Sequence, residues 1–169
     1  MIIDILSPIP YNENMILVGI GKEGERNALF KRTMDIYREL NKMPPTLVGL
    51  GHEESGKPKV LGADIEISLS HSGEYLVIAL SSGPIGIDIQ ENRAIDYEKI
   101  CTRYGINASD VNDFYTKFTL SEASAKQTGK GLAPSLHHSN EIVGKTYHFI
   151  KGYTLSIVGD GEAVFITTN

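Results

Sequence analysis

Cysteine is almost absent. The single thiol, Cys101, excludes an internal disulfide and any zinc site built from several cysteines. Long apolar runs are missing as well: no tract of about 18 apolar residues is available to cross a membrane as a helix. The opening Met-Ile-Ile-Asp-Ile-Leu meets an acid too early for a signal peptide, so a cytoplasmic location without membrane association is expected. Positive charge is also short. Sixteen Lys and Arg against 21 Asp and Glu leave a net charge of -5, which argues against general nucleic-acid binding and requires any bound polyanion to be small and locally neutralised. The five histidines form no His-Glu-x-x-His pattern, and His137-His138 reads as a solvated pair in a loop. What remains is a globular composition, 41% hydrophobic and 22% charged over 169 residues, enough for a sizeable core in one large domain or two small lobes.

The most informative stretch is Ile85-Gly-Ile-Asp-Ile-Gln90. In a strand, Ile85, Ile87 and Ile89 point into a core while Gly86, Asp88 and Gln90 share the opposite face. A carboxylate in the middle of an otherwise uncharged strand is costly unless it is paired or holds a cation, and Gly86 leaves room for a close approach. The structural alternative is that Asp88 caps a turn or pairs with Arg93.

Around this stretch the chain alternates strands and helices. Residues 2–6 and 15–20 read as strands separated by Pro8, Pro10 and an Asn-rich turn, followed by a helix over 25–41 that ends at Pro44-Pro45. Residues 52–58 read as a polar loop. Residues 65–71 and 75–80 then form strands that, with 85–90, suggest an antiparallel meander. A short helix over 97–104 ends at Gly105, and a longer one spans about 110–127 with its N-cap offered by Asn107-Ala108-Ser109. On that helix Val111, Phe114, Tyr115, Phe118 and Ala125 fall within about 100° of arc. Glu122 lies inside the same arc and breaks the pattern, as functional residues do. Lys126, at i+4, either joins it in a site or simply pairs with it. Strands over 145–150, 153–158 and 163–167 close the chain, with Gly159-Asp-Gly161 as a hairpin turn. Gly73-Glu-Tyr75 and Gly152-Tyr153 occupy matching places in the two halves, a hint of duplication and of a cleft between similar lobes.

If Asp88 and Glu122 converge in that cleft with Gln90 beside them, the donors are hard oxygens, which suit Mg²⁺ completed by phosphate and water. Arg26, Lys57, Lys126, Ser70 and His71 then form a phosphate-binding set. The chemistry indicated is metal-assisted reaction at a pyrophosphate or phosphoester, with Glu122 able to receive a proton.

The segments Gly56-Lys-Pro58, Ile67-Ser-Leu-Ser-His-Ser-Gly73, Gly86-Ile-Asp-Ile-Gln90 and Phe118-Thr-Leu-Ser-Glu-Ala-Ser-Ala-Lys-Gln-Thr-Gly-Lys-Gly-Leu132 resemble, in order, the motifs of 4'-phosphopantetheinyl transferases of the surfactin-synthetase-activating type. The resemblance implies an α+β fold of two similar α/β lobes related by a pseudo-twofold, each with a helix on a small antiparallel sheet, divided here as 1–82 and 83–169. It implies a monomer with coenzyme A and Mg²⁺ between the lobes. The enzyme, of holo-acyl-carrier-protein synthase type, would move 4'-phosphopantetheine to a serine of an apo acyl or peptidyl carrier protein and release 3',5'-adenosine bisphosphate. Carried over, Asp88, Gln90 and Glu122 would hold the metal, Glu122 would take the serine proton and Lys126 would hold the pyrophosphate. Ser70 and His71 would contact phosphates, Gly56, Lys57 and Pro58 would lie at the adenine end, and Arg26 would bind the 3'-phosphate. Three positions depart from the pattern: Gln90 where Glu is usual, Phe118 where Trp is common, and Ser121 where a lysine at the site or its rim is usual. The first and third make a binding module that holds coenzyme A or a carrier without efficient transfer the alternative reading.

Overall fold

The computed structural model of the chain describes residues 3–5, 14–131 and 141–168; the expected turn at Pro8 and Pro10, the His137-His138 pair and Leu132 lie outside the described residues. The fold is α+β. A five-stranded sheet runs in the order β1 (Ile3–Ile5), β10 (Glu162–Thr168), β2 (Met15–Lys22), β6 (Tyr75–Ser81) and β5 (Glu66–Ser72). A three-stranded sheet is ordered β7 (Ile85–Glu91), β9 (Tyr153–Gly159), β8 (Lys145–Tyr147), and β3 (Gly49–His52) pairs with β4 (Pro58–Leu61). The helices are α1 (Arg26–Leu40), α2 (Tyr97–Tyr104) and α3 (Val111–Thr128).

Period-two alternation in the central strands sorts side chains into two cores. Leu17, Ile78 and Ile166 face α1, where Leu29, Phe30, Met34 and Tyr37 supply the helical stripe. Val18, Val77 and Phe165 point the other way and meet Ile85, Ile87, Ile89, Leu155 and Ile157. The order of layers is therefore α1, five-stranded sheet, three-stranded sheet, α3. The three β7 isoleucines are fully buried as their alternation predicts, which contributes roughly 1.5–3 kcal/mol each relative to exposure.

Two turns behave differently from expectation. Residues 82–84 do not carry β6 into a third meander strand, and 160–161 do not close a β9–β10 hairpin. Both take the chain from one sheet to the other. The reason is burial on both sides: the β7 isoleucines satisfy their apolar face by stacking on β2 and β6 rather than by extending their sheet sideways. At the second crossing β10 inserts between β1 and β2, parallel to β2. The first sheet is thus completed by residues from beyond position 83, although the boundary expected at 82/83 falls in the β6–β7 turn. The expected polar loop over 52–58 is, for the most part, the turn of the β3–β4 hairpin.

The two sheets also adjoin along β5 and β7, where no backbone ladder forms. Ser68, Ser70 and Ser72, on one face of β5, accept the backbone N–H groups of Ile87, Ile89 and Glu91 at 3.0, 3.2 and 3.0 Å. Serine hydroxyls stand in for strand carbonyls, so the buried amides of β7 are satisfied across the seam.

Candidate active site

Asp88 sits mid-strand on β7, 2% exposed, with its carboxylate on the face opposite the isoleucines. Such a group is tolerated only when its lone pairs are met. Oδ1 accepts from Ser70 Oγ and from Lys126 Nζ, each at 2.7 Å, and Oδ2 accepts from Gln90 Nε2 at 3.2 Å. The partner is not Arg93, which pairs with Glu91 at 2.7 Å. Nor does Lys126 pair with Glu122; its second hydrogen bond goes to the Ile87 carbonyl at 3.2 Å.

The lysine reaches Asp88 because α3 lies close against β7. A Cβ placed on Gly86 would sit 1.8 Å from the Ala123 carbonyl oxygen and 2.8 Å from the Gln127 amide nitrogen, so only glycine admits the helix backbone here. The start of α3 is fixed by Asp110, whose carboxylate accepts the amides of Asn112 and Asp113, and its end by Gly129 in the left-handed conformation (φ 69°). Phe118, Glu122 and Lys126, four residues apart, therefore share one edge of the helix. Glu122 is half-buried and its carboxylate makes no hydrogen bond or ion pair among the described residues. Burial first, and then the neighbouring Asp88 charge, push its carboxyl above the ordinary glutamate range, while Lys126 pulls it partly back.

Two cavities flank these side chains. One, of about 330 Å³, is lined by Gly56, Lys57, Pro58, Glu122, Lys126 and Gly129 among others. The other, of about 610 Å³, has Gln90, Arg93, Lys99, Arg103, Tyr104 and Phe118 in its wall. Glu122 and Lys126 line the first cavity, and Gln90 and Phe118 line the second.

The structure thus brings Asp88, Gln90, Glu122 and Lys126 together, with Gly56, Lys57 and Pro58 facing Glu122 and Lys126 across the first cavity. Ser70 is buried, and its hydroxyl proton goes to Asp88 rather than toward open space. His71 and Arg26 lie outside that cavity: His71 is exposed with Nδ1 3.4 Å from Glu23 Oε2, and Arg26 is the exposed first residue of α1. Ser121 is fully buried, its hydroxyl bonded to the Lys117 carbonyl, so this departure changes the interior beneath α3 and not the rim of the site. Four charged neighbours escaped the sequence reading: Glu66 holds Lys57 at 3.2 Å, Glu23 faces His71, and Lys99 and Arg103 line the second cavity beside Arg93, which the sequence had offered only as a partner of Asp88. Only the serine seam had a visible signal, the period-two spacing of Ser68, Ser70 and Ser72.

No protein-family model matches the chain. Individual curated proteins do. The 4'-phosphopantetheinyl transferase Sfp of Bacillus subtilis strain 168 is 34% identical over 93 residues, 48% of this chain and 41% of that protein. The 4'-phosphopantetheinyl transferase gsp of Aneurinibacillus migulanus is 36% identical over 89 residues, 47% of this chain and 37% of that one. The longest of these matches, to the 4'-phosphopantetheinyl transferase ffp of Bacillus subtilis, is 26% identical over 163 residues and covers 78% and 70%. Over these stretches the chain is similar to 4'-phosphopantetheinyl transferases of the Sfp type. It spans about half the length of the first curated relatives it matches.

The donor set can be tested against Mg²⁺. Among the described residues no three His, Cys, Asp and Glu side chains are grouped to hold a metal ion. Two carboxylates are present, and they repel each other; that is the arrangement a hard divalent cation relieves. Gln90 directs its N–H₂ at Asp88, so its amide must turn before its oxygen can serve as a ligand. Asp88 and Glu122 are the two carboxylates that the site offers to a hard divalent cation, which would have to complete its shell with phosphate and water oxygens.

Proposed function

We propose that the chain transfers the 4'-phosphopantetheine group of coenzyme A to a serine hydroxyl of an apo carrier protein and releases 3',5'-adenosine bisphosphate. The observation that carries this reading is the half-buried Glu122 carboxyl, raised by burial and by Asp88, at the edge of a cavity whose cations are Lys57 and Lys126. The serine oxygen would attack the β-phosphorus of the pyrophosphate; the bond from that phosphorus to the bridging oxygen breaks, and the nucleotide leaves with the oxygen. A carboxyl raised above the ordinary glutamate range is a stronger base for the serine proton than an unperturbed glutamate. Lys126 and Lys57 would orient the phosphates and offset their charge, and Gly56, Lys57 and Pro58 would bound the nucleotide end. Mg²⁺, held by Asp88 and Glu122, would supply charge neutralisation at the pyrophosphate oxygens. Arg26 and His71 would meet the 3'-phosphate from outside the first cavity. The second cavity, with Arg93, Lys99 and Arg103 over an apolar floor, suits the acidic and apolar surface of a carrier that must bring its serine to Glu122. A single polypeptide acting in the cytoplasm without nucleic acid completes the proposal.

A second reading has its own observation. Gln90 supplies an amide in place of a third carboxylate and uses it as a donor to Asp88, which favours a module that binds coenzyme A or a carrier without efficient turnover. Intact-mass measurement of several apo carriers, after incubation with the protein, Mg²⁺ and coenzyme A, separates the two. Transfer adds one phosphopantetheine to a carrier and is abolished in Glu122→Gln while nucleotide binding persists. If every carrier stays unmodified although coenzyme A binds, the module reading replaces the transferase.

A further inference from the structure

Every oxygen of Asp88 is already engaged. Lys126 and Ser70 meet Oδ1, Gln90 meets Oδ2, and the residue is closed to solvent. The charge that answers Asp88 is the Lys126 ammonium. That ammonium is not locked in the interior: its side chain is 32% exposed and it lines the first cavity, with a four-carbon stem that can redirect its three donors. Lys57, across the cavity, is likewise held by a carboxylate, Glu66. Glu122, one turn before Lys126, has no such partner among the described residues. A divalent cation brought to Asp88 and the Lys126 ammonium repel each other, so each weakens the other's hold on the carboxylate.

We propose that Lys126 is the resident counter-ion of Asp88, and that an anion entering the first cavity draws it away and so opens Asp88 to a divalent cation. Anion and cation then bind cooperatively, each raising the affinity of the other by the same factor. This rests on the reading of the site as one for phosphate and a divalent ion, and it does not require that transfer take place.

The test uses Mn²⁺ as a probe, with free ion measured by electron paramagnetic resonance in the absence of nucleotide and carrier. Lys126→Met should bind Mn²⁺ about tenfold more tightly than the wild type, because a charge-assisted hydrogen bond no longer has to be broken before the ion enters. Lys126→Gln should fall between the two, and Asp88→Asn should remove the site. Sulfate, which complexes Mn²⁺ weakly, should raise the Mn²⁺ affinity of the wild type and leave that of Lys126→Met unchanged. The proposal is overturned if Lys126→Met binds Mn²⁺ no better than the wild type, or if sulfate has no effect on the wild type. Should Lys126→Met not unfold cooperatively, the sulfate titration of the wild type decides alone. Carriers left unmodified alongside the expected Mn²⁺ results would remove the transferase reading and leave the counter-ion in place. Modified carriers with no tightening in Lys126→Met would do the reverse.

Discussion

Replacing Ser70 by alanine should cost far more than replacing Ser68, although the two sit two residues apart on the same face of β5. Ser68 Oγ accepts one buried amide, that of Ile87, at 3.0 Å. Ser70 Oγ accepts the Ile89 amide at 3.2 Å and also donates to Asp88 Oδ1 at 2.7 Å. Either alanine orphans a buried N–H, at about 1–3 kcal/mol. Only Ser70→Ala also removes a hydrogen bond to a charged group, a further loss of about 1.5–3 kcal/mol. The difference between the variants is then about 2 kcal/mol, which for a chain of this size separates their melting temperatures by about 4–8 °C. Thermal unfolding followed by circular dichroism, without metal, reads this directly. A double-mutant cycle with Asp88→Asn should show coupling for Ser70 and little for Ser68. If the two alanine variants melt together, or Ser70→Ala and Asp88→Asn are additive, Ser70 does not position Asp88.

Gly86→Ala should drive α3 off β7, since the new methyl would lie 1.8 Å from the Ala123 carbonyl oxygen. A loss of about 1–3 kcal/mol in urea unfolding is expected, with weaker coenzyme A binding as Lys126 moves from Asp88; wild-type stability would refute the packing account. Glu122→Gln should stabilise the metal-free protein. The native carboxyl is raised, so folding loses stability as pH climbs from the unfolded glutamate value of about 4.3 through the higher native one. The variant escapes that loss, so its advantage over the wild type should be largest near pH 8 and vanish near pH 3. A variant less stable than the wild type at pH 8 contradicts the assignment.

The sequence exposes what short-range periodicity encodes. Ile85, Ile87 and Ile89 against Gly86, Asp88 and Gln90 forecast both faces of β7, and Glu122 stood out on α3 because its neighbours obeyed a helical stripe. The stripe itself was only partly legible. The contact surface of α3 also uses Thr119, Ser121 and Ala123, whose small size allows close approach but whose hydropathy carries no signal. Thr119 even shares a hydrogen bond with Ser156 across the interface at 2.7 Å. The insertion of β10 beside β2 was hidden because it pairs residues far apart in the chain, and nothing local distinguishes a turn between sheets from a hairpin. Gly73 and Gly152 both precede strands led by Tyr75 and Tyr153, and those rings meet edge to face at 4.9 Å, a contact no spacing announces. The choice of Asp88 over Glu122 as the partner of Lys126 has the same origin. It depends on how near Gly86 lets the helix come, and a helical wheel lacks that distance.

The most direct measurement is an anomalous difference map from crystals grown with Mn²⁺ and coenzyme A. The account predicts one peak in the cleft, within about 2.0–2.3 Å of a carboxylate oxygen from Asp88 and another from Glu122. A peak that touches only one of them, or that lies on the nucleotide away from both, would contradict it.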